Sequence, residues 1–134
     1  MPHDILGGDA VGELVSVCRT TVGDELRSVT YFTDEEVQQL YLRSDLERTA
    51  DLVGFAEFER QGFYAQGAYR DSQLGGYMAT VRMFENGFMT RVIDDDGDIN
   101  HGVWVTTDAM SIDRFEELAV ALRETLVGVR DEHS

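Results

Sequence analysis

The 134-residue sequence predicts an α+β domain built on a single antiparallel five-stranded sheet that carries helices. Three observations lead there. Segments rich in β-branched and aromatic residues arrive as neighbours joined by short polar turns, which is how antiparallel strands are connected. Apolar stripes at three- and four-residue spacing open and close the chain, as amphipathic helices do. Hydrophobic residues make up 43% of the sequence, with seven Phe, five Tyr and one Trp, enough for one core in a chain of this length.

Val11, Leu14, Val15 and Cys18 form the first stripe, so a helix is predicted from about Asp9 to Val22, with Asp9 as its cap and Gly23 as its stop. Ser28 to Thr33 and Val37 to Arg43 read as two strands joined at Asp34-Glu35-Glu36. Asp45 can cap a second helix reaching about Arg60, with Leu46, Ala50 and Val53 on its buried face. Gly62 to Gly76, with four Gly and the aromatics Phe63, Tyr64 and Tyr69, reads as a long loop. From Tyr77 the chain alternates to Glu85, turns at Asn86-Gly87, the preferred pair of a type I′ hairpin, and continues from Phe88 to Ile93. A turn over Asp94 to Asn100 leads to a strand at Gly102 to Thr107. After Ser111 a last helix carries Ile112, Phe115, Ala119, Leu122, Leu126 and Val129 on one stripe.

The order is α-β-β-α-β-β-β-α in one domain, residues 1–134, with no repeat or linker. It resembles the roadblock and profilin-like folds, and less closely the PAS and GAF sensors, in topology only. A second resemblance lies in two short stretches. Leu40-Tyr41-Leu42-Arg43-Ser44-Asp45-Leu46 and Ala79-Thr80-Val81-Arg82-Met83-Phe84-Glu85-Asn86 are similar to strand motifs of a family of small acidic haloarchaeal proteins of unassigned function. In that pattern a Tyr-x-Arg-x-Asp strand end precedes a helix and a Val-Arg-x-Phe-Glu strand precedes a turn. The resemblance runs from about Val29 onward and implies a halophilic, cytoplasmic origin. It implies no activity.

Charge points the same way. All eleven basic side chains are arginine, set against 26 Asp and Glu for a net charge of −15. In concentrated salt, screening removes much of the self-repulsion this charge causes in dilute buffer. The same charge disfavours nucleic acid as a partner. No apolar run is long enough for a membrane span and the start has no basic leader, so a cytoplasmic protein is expected. Cys18 has no second cysteine to pair with.

No catalytic motif emerges. The Asp94-Asp95-Asp96-Gly97-Asp98 run lacks the glycine and glutamate spacing of a calcium loop, and reads as an acidic turn, so no metal site and no cofactor is expected. Cys18 has no basic neighbour on its stripe and reads as an inert core residue. His101, the one internal histidine, makes neither a metal site nor a triad by itself. A turn at Asn86-Gly87 would pair Arg82 with Arg91 on one sheet face, and opposed guanidiniums call for an anion between them: first an internal Asp or Glu, otherwise a ligand's anionic group or a second subunit's carboxylate. Tyr41 and Arg43, at alternate positions on their strand, join Arg82 and Arg91 as a possible anion or interface site. Tyr31, Phe32, Tyr77 and Trp104 are further aromatics, for a core or a ligand cavity.

The function this predicts is a non-enzymatic regulatory or scaffolding module acting as a homodimer, with a protein partner. The alternative is a sensor of a small anionic ligand, of PAS or GAF type. An enzyme comes third and would need His101 gathered with two carboxylates in a cleft.

Overall fold

A computed structural model describes residues 6–46, 73–95, 100–109 and 111–132. Helix α1 (Gly8–Val22) begins the chain and a 3-10 turn (Gly23–Glu25) leads into β1 (Leu26–Thr33) and β2 (Val37–Leu42). Strands β3 (Ala79–Phe84), β4 (Gly87–Asp94) and β5 (His101–Thr107) follow, and α2 (Ile112–Glu132) closes the fold. The five strands form one antiparallel sheet in the order β2-β1-β5-β4-β3. The expected helix from Asp45 to Arg60 beyond its first residues, the expected loop from Gly62 as far as Ser72 and the Asp96 to Asp98 turn lie outside the described residues.

Helix α1 starts slightly ahead of its predicted first residue. Gly7 occupies the N-cap without a side-chain bond, so Asp9 sits in the first turn, where its charge suits the helix dipole, and does not cap. Gly23 does end the helix, in the left-handed region at φ 61°. Thr33 Oγ1 accepts the N–H groups of Glu35 and Glu36, which ties the β1–β2 hairpin at the predicted acidic turn.

The β3–β4 hairpin departs from expectation. Phe84 pairs with Gly87 and Arg82 with Met89, so Glu85 and Asn86 are the turn residues. Neither Asn86 nor Gly87 has positive φ among the described residues. Gly87 serves a different purpose: a Cβ there would stand 2.5 Å from the Thr107 carbonyl oxygen of β5. Close approach to the neighbouring strand, not turn geometry, requires the glycine.

Each face of the sheet has its own core. On one side α1 (Ala10, Leu14, Cys18, Val22) and α2 (Leu118, Leu122, Leu126, Val129) pack over Leu26, Val29, Tyr31, Val92, Val103 and Val105. Leu118 completes the α2 stripe, whereas Ile112, assigned to it from sequence, is 82% exposed. The other side gathers Phe32, Met89, Ile93 and Trp104, with Val37 and Tyr77 against them. Opposite faces of a pleated strand alternate, so adjacent Tyr31 and Phe32 serve separate cores.

Candidate functional site

Strand β3 is an edge with no outer neighbour among the described strands. Its apolar residues are turned outward: Met83 is 81% exposed, Phe84 46% and Val81 42%, with Leu74 fully exposed just before it. Helix α2 packs over β4, where Phe88 meets Phe115 edge to face with centroids 5.5 Å apart. Val81 and Met83 pair with Thr90 and Phe88 on that same side, beyond the reach of the helix. An apolar edge of this kind is a template for another strand.

A buried polar set crosses β1, β5 and β4 beneath the end of α2. Asp94 and His101 are register partners, and His101 Nε2 lies 2.9 Å from Asp94 Oδ2. Tyr31 Oη is 2.8 Å from His101 Nδ1. Arg130 of α2 donates to Asp94 Oδ1 at 2.8 Å. A carboxylate accepts, so His101 Nε2–H donates to Asp94, and in that neutral tautomer Nδ1 accepts a hydrogen bond from the Tyr31 hydroxyl. Burial, and then the Asp94 charge, pushes the Tyr31 hydroxyl up to about 12, which keeps it a donor. Each of Tyr31, Asp94 and His101 is at most 3% exposed. The arrangement orders charge inside the fold, away from solvent. Sequence reading placed Asp94 in a turn and left His101 without company. The signal was parity: Asp94 follows Val92, and His101 precedes Val103, at the two-residue step of one sheet face.

The four residues proposed as an anion or interface site do not come together. Arg91 is buried, donates to Tyr77 Oη at 3.3 Å and lies 5.5 Å from the Phe32 ring centroid. It pairs with Thr80, while Arg82 pairs with Met89 and points one amino group at that residue's sulfur, 3.7 Å away. The predicted direct opposition of Arg82 and Arg91 is therefore corrected. The turn sits one residue earlier than Asn86-Gly87, which slides the register by two and leaves the arginines diagonal on one face. Tyr41 lies on the other face, under the Arg19 guanidinium at 5.6 Å.

Arg43 closes a clasp at the end of the sheet. It holds both oxygens of Asp108, at 2.5 and 3.2 Å, and both of Asp45, at 2.7 and 3.2 Å. Arg27 of β1 donates to the same Asp108 at 2.9 Å. These bonds hold the Asp108 and Asp45 carboxyls below the usual carboxylate range, the Arg43 hydrogen bond being the largest cause in each. Arg43 thus has internal acids, Asp108 and Asp45, for partners. Cys18 is fully buried and burial pushes its thiol up to about 12, as an inert core residue requires.

The strand order and helix placement define the class: an α+β domain of roadblock type. The gliding protein MglB from Thermus thermophilus superposes with a TM-score of 0.66 over 98% of both chains at 15% identity. Myxococcus xanthus MglB does so at 0.63 over 96% of both chains, with 10% identity. An MglB structure described as having a tetrameric arrangement gives 0.60 over 96% of this chain and 98% of that one, at 15% identity. At such identities the likeness is one of fold. No curated protein matches the sequence. The chain belongs to the family of domains of unknown function DUF7522, whose pattern spans residues 12–127.

Proposed function

We propose that this chain is a single-domain, non-enzymatic scaffolding or regulatory module that works as a homodimer joined at the β3 edge. The observation that carries the reading is the outward apolar display of Val81, Met83 and Phe84 on an edge strand. Two copies meeting there antiparallel would extend one sheet across both and remove that surface from water. The roadblock-type fold supports the reading, because MglB, with the same fold, occurs in a tetrameric arrangement. A sensor needs room beside the arginines, whereas Arg91, Phe32, Met89, Ile93 and Trp104 are all packed away from solvent. An anion role for Arg82 and Arg91 would require that face to open.

The proposed setting is a salt-rich cytoplasm. Its support is the balance of 26 acids against eleven arginines and no lysine, and the described helices include none long and apolar enough to cross a membrane.

Met83→Glu tests the interface. Placing a carboxylate on this exposed edge should weaken self-association in sedimentation experiments while leaving the circular dichroism spectrum unchanged, since Met83 is 81% exposed. Unchanged association would remove the β3 edge from the proposal.

A further inference from the structure

A second surface lies at the other end of the sheet, between α1 and the edge strand β2. An open groove of about 540 Å³ is lined by Val11, Gly12, Val15, Ser16, Arg19 and Thr20 of α1 and by Leu40 of β2. Leu40 faces it because of a bulge: Val29 pairs with Tyr41 and Thr30 with Gln39, so Leu40 is the extra residue. A bulge re-aims a side chain, and here Leu40 and Tyr41 both turn toward α1.

Two properties of the groove bear on what fills it. Among the described residues its lining contains no acid, in a chain that has 26, and the one charge is Arg19, which lies over the Tyr41 ring. A carboxylate is the complement such a surface fits. The floor is also low. A Cβ built on Gly12 meets nothing within 4 Å, although glycine inside an exposed helix weakens it. Another backbone can therefore come close.

We propose that the groove receives α1 of a second copy, the two helices packing antiparallel so that Arg19 of each meets Asp9 of the other. Helix α1 itself supplies the complementary charge. In an antiparallel pair crossing midway between Gly12 and Ser16, Gly12 falls opposite Ser16, Gly8 opposite Thr20 and Asp9 opposite Arg19. The ten steps from Asp9 to Arg19 make about 2.8 turns, which leaves the two about 80° apart around the helix and within one half of its surface. Asp9 and Arg19 are exposed, as is Gly8. The two exposed ion pairs set orientation more than affinity, which comes from covering Val11, Val15 and Leu40. This contact uses none of the β3 residues. A chain with both faces would assemble beyond the dimer.

The test follows the association of the full chain by sedimentation equilibrium in about 0.5 M KCl, where contact ion pairs survive but long-range repulsion is screened. Gly12→Trp fills the groove from an open position and should weaken self-association by at least roughly tenfold, with the melting curve retained. Asp9→Arg and Arg19→Asp should each weaken it, and their combination should restore it. All variants are repeated with Met83→Glu, which isolates the α1 contact. Association that Gly12→Trp leaves unchanged in both backgrounds overturns the proposal and leaves the groove to a different polypeptide. Failure of the double swap to restore binding overturns the antiparallel pairing. If Met83→Glu changes nothing while Gly12→Trp dissociates the chain, the β3 reading fails and the α1 contact stands.

Discussion

Asp94 is the residue on which His101 and Arg130 converge inside the fold. It accepts from His101 and from Arg130 while fully buried, so Asp94→Ala strips the buried His101 N–H and the Arg130 guanidinium of an acceptor. Breaking a buried charged set from one side costs about 3 kcal/mol, and a urea melt measures it. A loss under about 1 kcal/mol would show that the network is solvated in practice. Arg43 makes a different test at the surface. Its bonds depress the Asp108 and Asp45 carboxyls from a usual value of 3.8. A depressed folded value means that their stabilisation is complete above about pH 4 and fades as the pH falls through the folded value. Melting temperature should therefore drop in acid for the native chain, and more shallowly between about pH 4 and about pH 2 for Arg43→Gln. Parallel curves would show that the clasp adds no stability.

Glycines separate the elements by what surrounds them. Gly87, in β4, has the Thr107 carbonyl 2.5 Å from the place a Cβ would take. Gly87→Ala must push β4 from β5 and should cost about 1 to 3 kcal/mol, the usual penalty for overpacking. Gly12, in the exposed middle of α1, has open space there. Gly12→Ala should raise stability by up to about 1 kcal/mol through helix propensity. Opposite signs for the same substitution, read from denaturant midpoints, would confirm both environments; a neutral Gly87→Ala would mean the strands can part cheaply. The β3–β4 hairpin shows why the distinction mattered for register. Asn-Gly reads as a type I′ turn, but the glycine is claimed by a cross-strand approach, so the turn falls at Glu85-Asn86. Every side-chain pairing on β3 moves with it.

At the scale of the whole molecule the controlling quantity is the charge of −15. Carboxylates crowded on a small surface repel across distances longer than a bond, and salt shortens that reach from about 10 Å at 0.1 M to about 3 Å at 1 M. The melting temperature should therefore rise steeply between about 0.1 M and about 3 M KCl. A flat profile would refute adaptation to high salt.

Composition and periodicity determined the class of this domain, because alternation and helical stripes are local properties of the chain. Helix α1, its stop at Gly23, the acidic β1–β2 turn and the inert Cys18 were all legible for that reason. The resemblance to roadblock-type folds was legible from the order of elements. What only the tertiary structure decided are the relations between distant residues. Strand order put β3 and β2 at the edges, so Met83 is exposed while Met89, six residues on, is buried. Parity across the β4–β5 connection joined Asp94 to His101, and the end of α2 brought Arg130 to them, 36 residues from Asp94 in sequence. The register that separated Arg82 from Arg91, and the bulge that turned Leu40 toward α1, depend on which backbone groups find partners across the sheet. No short window of sequence contains that choice, since it is made by the sheet as a whole.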